Sequence, residues 1–214
     1  MSWAVIIVAS GSSRRMGFDK LAAKWNGKPI LWHSVRAFSS LAEIKQVIVV
    51  TPEERFAWLA DLGDKVTRVD GGMERPDSVA AGLATLSKDI THVAIHDGAR
   101  PLVSAEAILA TFQVAEQTGA AALARKVTET LKRATSEGVA TETVPRDDLW
   151  IMETPQTFSK ELITTAYEKV RSGDALITDE VSAIQLLDQG THLVENTTPN
   201  PKITIASDLK NLRS

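Results

Sequence analysis

The chain has 214 residues, a formal net charge of −3 and no cysteine. Apolar residues make up 43% and charged residues 24% of it, which is typical of a globular protein in water. The length favours one α/β domain, predicted to span residues 1–214. Without cysteine, disulfides, a thiolate nucleophile and cysteine-based zinc sites are excluded. The slightly acidic balance argues against nucleic-acid binding.

Seven short runs of apolar and β-branched residues predict β-strands. They lie at residues 4–8, 46–51, 66–70, 92–96, 120–124, 192–195 and 203–205. The apolar start of the chain is too short to span a bilayer and lacks the basic flank of a signal peptide, so we interpret it as a buried first strand. These features predict a cytoplasmic protein without membrane contacts.

Segments with helical spacing of apolar residues separate these strands. They lie at residues 29–41, 78–86, 104–118, 160–172 and 179–189. Ser104 and Gly119 are the expected caps of the third helix, and Thr178 is the expected N-cap of the last. Alternation of helices with strands that are apolar throughout predicts a mostly parallel sheet between two helical layers, with ligands beyond the carboxyl ends of the strands.

Residues 125–149 break this alternation. Val- and Thr-rich pieces flank Ser136, Glu137 and Gly138, which is a hairpin signal. We interpret the segment either as a surface hairpin or as an arm that reaches a second subunit.

The loop after the first strand carries a signal for phosphate binding. Residues 9–16 read ASGSSRRM, and Lys20 follows. Small residues let the backbone approach a phosphate chain and form an anion nest, while Arg14, Arg15 and Lys20 supply cationic donors. The loop is neither a Walker loop nor a dinucleotide fingerprint. We therefore predict that it binds the phosphates of a nucleoside triphosphate.

Two further motifs close predicted strands. In DGGMERPDS at residues 70–78, the glycines leave the backbone open to a base edge, and Ser78 either caps the next helix or reads a base. In HDGARP at residues 96–101, Asp97 can hold Mg²⁺ directly or through water, and Arg100 can pair with it. We interpret His96 as a packed strand-end residue, because no histidine spacing indicates a metal site.

Eight segments, taken in order, resemble the 2-C-methyl-D-erythritol 4-phosphate cytidylyltransferase family. They cover nearly the whole chain and read ASGSSRRM with Lys20, GGMERPDSV, HDGARPL, TETLKR, PRDDLW, TPQTF, TDEVSA and PKIT. The resemblance implies a Rossmann-like three-layer α/β/α fold with a protruding β-arm at about residues 125–149. It also implies CTP and a polyol phosphate as substrates, Mg²⁺ as cofactor, and a homodimer formed through the arm.

The resemblance further implies roles for residues at matching positions. The cations acting on the α-phosphate would be Arg15, Lys20 and Lys202. The nucleotide-binding residues would be Ala9, Ser10, Gly11, Ser12, Ser13, Gly72, Met73, Arg75, Ser78, Asp97 and Gly98. The residues binding the polyol phosphate would be Asp97, Thr130, Arg146, Thr154, Thr178 and Lys202. Asp97 would also lie at the metal.

The chain departs from the family in the phosphate loop. Ser10 and Ser13 stand where the family commonly has alanine and glycine, and Asp19 stands where it has proline. Two alternatives stay open at this point. One is a ribitol-5-phosphate cytidylyltransferase, which shares the nucleotide half. The other is a noncatalytic nucleotide-binding module, although such a module would not need the cations and the carboxylate together.

Overall fold

The protein is described by a computed structural model over residues 1–11, 17–173 and 177–212. Its strands are β1 (Trp3–Val8), β2 (Lys24–Trp25), β3 (Lys28–Pro29), β4 (Ile44–Val50), β5 (Val66–Val69), β6 (His92–Asp97), β7 (Ala120–Lys126), β8 (Leu131–Ala134), β9 (Ala140–Val144), β10 (Trp150–Ser159) and β11 (His192–Glu195). Its helices are α1 (Ile30–Ser39), α2 (Glu53–Phe56), α3 (Arg75–Ala84), α4 (Ala105–Thr118), α5 (Lys160–Ser172), α6 (Glu180–Gln185) and α7 (Ala206–Asn211). Within the described ranges, no helix combines the length and the apolar character needed to cross a membrane.

Seven strands form one sheet in the order β11, β7, β10, β6, β1, β4, β5. Every pairing is parallel except the two made by β10, which is antiparallel to both of its neighbours. The predicted mostly parallel sheet is therefore confirmed.

Helices cover both faces of this sheet. Along β1, Val5 and Ile7 pack into the core beside α1 and α4, whereas Ala4 and Ile6 pack into the core beside α3, α5 and α6. Successive side chains of a strand point to opposite faces, so a strand that is apolar throughout must be buried on both. The continuous apolar runs in the sequence follow from this three-layer arrangement, which is the predicted fold class.

Two assignments of strands from the sequence were wrong. Residues 203–205 form no strand, and Ile203 is instead a buried residue whose N–H donates to the carbonyl of Ala99. The strand β10, which lies inside the sheet between β7 and β6, was not predicted because polar residues interrupt its pattern. Those residues are buried and hydrogen-bonded; the Thr157 hydroxyl, for example, lies within hydrogen-bond distance of the carbonyls of Thr111 and Ala121.

The capping predictions had mixed outcomes. Ser104 accepts from the N–H of Ala107, and Gly119 ends the same helix in the left-handed region at φ 83°, as predicted. Thr178 is not the N-cap of α6. That position belongs to Asp179, whose carboxylate accepts from the N–H of Ser182. The predicted helix start at Ser78 was also wrong, because α3 begins at Arg75 with Glu74 as its N-cap.

The irregular segment is an exposed hairpin. Strands β8 and β9 pair antiparallel, and the turn between them places Gly138 at φ 84°. Nearly all side chains from residue 128 to residue 148 are exposed. The predicted hairpin is therefore confirmed, and it gives the β-arm of the expected fold; that it reaches a second subunit stays a prediction.

Candidate functional site

The main cleft lies at the carboxyl ends of the central strands. Val8, the last residue of β1, is in register with Val50 on one side and Asp97 on the other, so the segments that follow these strands share one edge of the sheet. The cleft there has a volume of about 720 Å³. Its lining residues are Val8, Ala9, Ser10, Gly11, Lys20, Leu21, Gly72, Met73, Glu74, Arg75, Asp97, Ala99, Lys202 and Thr204.

The cleft brings together residues from all three predicted motifs. Of the predicted site residues, those lining it are Ala9, Ser10, Gly11, Lys20, Gly72, Met73, Arg75, Asp97 and Lys202. Ser12, Ser13 and Arg15 fall outside the described residues. The predicted residues that do not line the cleft are Ser78, Gly98, Thr130, Arg146, Thr154 and Thr178.

Lys20 and Lys202 stand at neighbouring points of the cleft wall. The Nζ atom of Lys20 donates to the carbonyl of Ile203 at 2.7 Å, a contact that spans 183 residues of sequence. Both lysines line the cleft. With Arg75, the cleft lining holds three cations against the carboxylates Glu74 and Asp97, a balance that favours an anionic ligand although the protein as a whole is negative.

The glycine motif and the phosphate loop touch directly. A Cβ atom on Gly71 would lie 2.5 Å from the Cβ of Ser10, closer than carbon atoms approach, so the contact requires glycine. The Ser10 and Ser78 hydroxyls lie 2.9 Å apart, and the N–H of Gly72 donates to the Ser78 hydroxyl. Ser78 is fully buried, so its hydroxyl orients the glycine backbone from beneath the cleft.

Asp97 is a buried carboxylate at the centre of a cationic group. Its Oδ2 atom lies 3.0 Å from Nζ of Lys202 and 3.5 Å from Nε of Arg100, and its Oδ1 atom lies 3.5 Å from Nε of Arg75. Burial by itself would raise the pKa of this carboxyl, but the positive charges outweigh burial and hold the pKa well below its usual range. Asp97 is therefore ionised at neutral pH, and the predicted pairing with Arg100 is present.

Glu180 is a site residue that the sequence did not reveal. It is fully buried, and its two oxygens accept from Nη1 and Nη2 of Arg75 at 2.6 and 2.9 Å. The Tyr167 hydroxyl donates to the same carboxylate at 3.0 Å, and burial together with that negative charge raises the pKa of Tyr167, which stays a neutral donor. The sequence showed Glu180 only as an acid in a first helical turn. The paired hydrogen bonds to Glu180 hold the Arg75 guanidinium beside Asp97.

A hydrogen-bond chain supports Asp97 from behind. The backbone N–H of Asp97 donates to the Thr154 hydroxyl at 3.1 Å, and that hydroxyl lies 3.0 Å from Nδ1 of His96. The other ring nitrogen, Nε2, lies 3.1 Å from the carbonyl of Arg100, which can only accept. Burial lowers the pKa of His96 to about 4, so the ring is neutral, with its proton on Nε2. Thr154 therefore positions the end of β6 and is 4% exposed.

His96 gives the protein a specific sensitivity to acid. Between pH 6.5 and about 4, His96 is protonated in the unfolded chain but stays neutral in the folded protein. The free energy of unfolding therefore falls as pH drops through this window. The expected contribution is roughly 3 kcal/mol across this window. The pKa of Asp97 is lowered as well, so its contribution to stability is also lost on acidification, but only as pH falls below about 3.8, where the carboxyl of the unfolded chain binds a proton.

Urea unfolding of the wild type and of His96→Asn at several pH values between 7 and 4 tests this expectation. The variant starts from a lower stability at pH 7, but its stability should fall less steeply with acidification. Equal slopes in the two proteins would show that His96 is not the titrating group.

The remaining predicted substrate residues lie away from this cleft. Thr130 and Arg146 are exposed on the arm, where Arg146 donates to the carbonyl of Thr128. Thr178 is exposed before α6, and its N–H donates to the Ser182 hydroxyl. Gly98 is buried beside Val8, Ala9 and Leu31, to whose atoms a Cβ atom would lie 3.0 to 3.2 Å away. It shapes the floor of the cleft without lining it.

The donor set of the cleft fits a metal that arrives with phosphate. Among the described residues, no three His, Cys, Asp or Glu side chains come close enough to form a metal cage. Asp97 nevertheless presents a carboxylate to the cleft, and Mg²⁺ bound to nucleotides uses one or two carboxylates together with phosphate oxygens and water.

Arg55 is a second residue that the sequence did not reveal. It is buried beneath the start of the phosphate loop, where its guanidinium donates to the carbonyls of Ala9 and Gly11 and to the carboxylate of Asp19. Its position in a short charged run, PEER at residues 52–55, gave no signal, because such runs are usually solvated.

Known proteins similar to this chain agree with one another. The profile of the IspD family, described as 2-C-methyl-D-erythritol 4-phosphate cytidylyltransferase, matches residues 3–213. A protein of that name from Halalkalibacterium halodurans is 37% identical over 98% of this chain and 94% of its own length. Another from Caldanaerobacter subterraneus subsp. tengcongensis is 38% identical over 98% of this chain and 96% of its own.

Solved structures show the same relationship. The crystal structure of 2-C-methyl-D-erythritol 4-phosphate cytidylyltransferase from Francisella tularensis superposes with a TM-score of 0.87 at 28% identity, covering 100% of this chain and 99% of that one. The structure of 4-diphosphocytidyl-2C-methyl-D-erythritol synthase from Anaerococcus prevotii superposes with a TM-score of 0.86 at 27% identity, covering 99% and 94%. Since the family profile, the relatives and the folds coincide over almost every residue, this chain belongs to the 2-C-methyl-D-erythritol 4-phosphate cytidylyltransferase (IspD) family.

Proposed function

We propose that this protein transfers the cytidylyl group of CTP to 2-C-methyl-D-erythritol 4-phosphate. The products are 4-diphosphocytidyl-2-C-methyl-D-erythritol and pyrophosphate. The observation that carries the proposal is the joint placement of Lys20, Lys202 and Asp97 on one cleft at the carboxyl ends of β1 and β6. A noncatalytic nucleotide-binding module needs no such group, and membership of the IspD family agrees with an enzyme.

The reaction is an in-line displacement at phosphorus. An oxygen of the sugar phosphate forms a bond to the α-phosphorus of CTP, the bond from that phosphorus to the bridging oxygen breaks, and pyrophosphate leaves with that oxygen. The second pKa of a phosphate monoester is about 6, so the nucleophile is largely a dianion at pH 7. No general base is required, which agrees with a neutral, fully buried His96.

Cations do most of the catalytic work in this proposal. The barrier comes from bringing one anion onto another and from charge at the α-phosphate, and fixed positive groups lower it most when they are already in place. Lys20 stabilises the α-phosphate from the phosphate loop. Lys202 stands between the two anions, held by Asp97 at 3.0 Å. Arg15 is expected to join them, although it lies outside the described residues.

The nucleotide side of the cleft has a clear division of roles. Ala9, Ser10 and Gly11 bind the triphosphate, with small side chains that let it approach the backbone. Gly72 and Met73 present backbone groups to cytosine. Met73 is 99% exposed at the mouth of the cleft, which suits a residue that covers a base.

Mg²⁺ is the proposed cofactor. Asp97 would hold it together with phosphate oxygens of CTP, since no three carboxylate or histidine side chains among the described residues form a cage. When bound, the ion supplies positive charge that neutralises the phosphates.

The arm is proposed to complete the sugar-phosphate site across a homodimer. Thr130 and Arg146 on the exposed arm cannot reach the cleft as part of its lining, whereas an arm that crosses to a second copy can supply them there. Thr178 would complete that pocket, whereas Thr154 supports Asp97 from behind the cleft and does not contact the sugar phosphate in this proposal. Sedimentation of the purified protein should show a dimer, and deleting residues 128–148 should yield monomers.

Arg146→Ala should weaken use of the sugar phosphate selectively. We expect KM for 2-C-methyl-D-erythritol 4-phosphate to rise roughly 10-fold to 100-fold, the scale for losing one charged hydrogen-bond donor to phosphate. The KM for CTP should stay within about 2-fold, because the arm lies outside the nucleotide cleft. Steady-state kinetics with each substrate varied in turn measures both values. The exposed Arg133→Ala on the same arm is the matched control. A similar rise in both KM values would contradict the assignment.

A substrate panel tests the activity itself. Pyrophosphate release is measured with Mg²⁺, each of the four nucleoside triphosphates, and either 2-C-methyl-D-erythritol 4-phosphate or ribitol 5-phosphate. We expect turnover with CTP and the methylerythritol phosphate, and little with the other combinations. Preferential turnover of ribitol 5-phosphate would replace the proposed acceptor. The cytoplasmic location expected from the sequence stays a prediction, which fractionation of cells would test.

A further inference from the structure

Arg55 is a buried arginine whose contacts all converge on the phosphate loop. It lies in the short helix α2, and the residue is 8% exposed. Its Nη1 and Nη2 atoms donate to the carbonyls of Ala9 and Gly11, the latter at 3.0 Å, and its Nε donates to Oδ2 of Asp19 at 2.6 Å. One guanidinium group therefore bonds to the first residues of the loop and to a residue just before Lys20.

The contacts with carbonyls fix the direction of the loop backbone. In a trans peptide the C=O and the N–H of one plane point in opposite directions, and the described residues contain a cis bond only at Thr154–Pro155. When Arg55 binds the carbonyl of Ala9, the N–H of Ser10 must therefore point away from Arg55. Ser10 lines the cleft and Arg55 does not. The guanidinium thus turns the N–H of Ser10 away from itself, toward the side on which a phosphate would bind.

The contact with Asp19 fixes the backbone on both sides of Lys20. While Oδ2 of Asp19 accepts from Arg55, Oδ1 accepts from the N–H of Leu21 at 3.0 Å. The Asp19 carboxylate, whose side chain is 32% exposed, therefore holds the backbone before and after Lys20. Because both oxygens of this carboxylate are used, one by Nε of Arg55 and one by a backbone N–H, its orientation is restricted more than a single contact would restrict it.

We propose that Arg55 is a positioning residue that couples the start of the phosphate loop to Lys20 and so holds both in the arrangement that accepts the CTP triphosphate. Arg55 does not touch substrate. It acts through Ala9, Gly11 and Asp19. This inference rests on the proposed role of Lys20 at the α-phosphate, and it adds a reason why two segments separated in sequence act as one anion site.

The test compares Asp19→Asn and Arg55→Lys with the wild type. Asparagine keeps the size of Asp19 and its bond to the N–H of Leu21 but lacks the charge that pairs with Arg55. Lysine keeps the charge of Arg55 but cannot form three bonds in the plane of a guanidinium. Exposed Arg36→Lys on α1 is the matched control. Steady-state kinetics, with CTP and the methylerythritol phosphate each varied, are combined with thermal unfolding of each variant.

We expect kcat/KM for CTP to fall about 10-fold in Asp19→Asn and on the order of 10²-fold in Arg55→Lys, the scale for misplacing a catalytic group by about 1 Å. The KM for the methylerythritol phosphate should change less than about 2-fold, because the arm is untouched. In the double variant the loss should be close to that of Arg55→Lys alone, since both changes break one unit. The Arg36→Lys control should behave like the wild type.

The outcomes separate positioning from simple stabilisation. Normal CTP kinetics in Asp19→Asn would overturn the proposal, whatever its thermal stability, and this variant decides the matter even where Arg55→Lys does not fold. Losses that multiply in the double variant would also overturn it, because the two residues would then act independently. Lys20→Ala is run alongside. If that variant keeps full turnover, the proposed role of Lys20 fails, whereas a slow Lys20→Ala beside a normal Asp19→Asn rejects only the role of Arg55.

Discussion

Lys20→Ala should lower kcat by roughly 10²-fold or more, the scale for removing one well-placed donor to charge that develops in a transition state. Lys20 lines the cleft, and its Nζ atom lies 2.7 Å from the carbonyl of Ile203, beside Lys202. Removing it takes away one of the positive groups that offset repulsion between two phosphate anions. The defect should appear mainly in kcat, because the charge on the α-phosphate is redistributed as the new bond forms.

A matched lysine separates this effect from a general loss of positive charge. Lys88 is exposed in the loop before β6, at the opposite edge of the sheet from the cleft. Lys88→Ala removes the same charge and should change kcat by less than about 2-fold. Pyrophosphate release at saturating CTP and methylerythritol phosphate measures both variants. Turnover of Lys20→Ala close to that of the wild type would remove Lys20 from the mechanism.

Asp97→Asn should reduce both activity and stability. Three cations converge on this carboxylate, and two of them, Arg75 and Arg100, are themselves largely shielded from water. Removing one partner of a buried ion pair destabilises a protein by about 3 to 5 kcal/mol, and we expect about 3 kcal/mol because Lys202 is partly exposed and screened. Turnover should fall at least about 10²-fold, since Lys202 loses its anchor and the proposed Mg²⁺ loses its carboxylate.

Urea unfolding at pH 7 and kinetics across a range of Mg²⁺ concentrations measure the two effects separately. The exposed pair of Asp89 with Lys45, at 3.6 Å, gives the control, and Asp89→Asn should change stability by less than about 0.5 kcal/mol. Kinetics are recorded well below the unfolding temperature, so that a folded but slow Asp97→Asn can be recognised. An Asp97→Asn enzyme with normal kcat and an unaltered Mg²⁺ dependence would refute the catalytic part of the prediction.

Local sequence patterns predicted most of the fold because they report burial. Strand β1 is apolar at every position, and β4 ends in a continuous apolar run. Such runs are typical of strands that helices cover on both faces, and helices do cover both faces of this sheet. The pattern failed where buried polar groups find partners inside the protein. The strand β10 carries four buried polar residues, Glu153, Thr154, Gln156 and Thr157. Because these residues break the apolar pattern, the sequence did not predict a strand inside the sheet. Residues 203–205 failed in the opposite sense: Ile203 is buried, but Ile205 is half exposed, and the N–H of Ile203 donates to the carbonyl of Ala99 outside any strand.

The motifs indicated the chemistry of the site but not its architecture. Small residues followed by cations indicate phosphate binding wherever they occur, so the loop and Lys20 were recognisable from the sequence. Ser78 and Thr154 were also recognised, but their hydroxyls serve as supports behind the cleft. An isolated serine or threonine carries no information on which way its hydroxyl points, since that depends on the donors around it.

By itself, then, the sequence determined the class of fold, the cationic loop, the glycine motif and the family. Only the tertiary structure decided how these parts act together. The bond from Arg55 to Asp19 spans 36 residues, the fork from Arg75 to Glu180 spans 105, and the contact from Lys20 to Ile203 spans 183. Propensity and periodicity report the environment of a residue within a few turns of chain, whereas a charge is paired by whatever the folded chain brings beside it. The partners of Asp97, Arg75 and Arg55 are therefore properties of the fold.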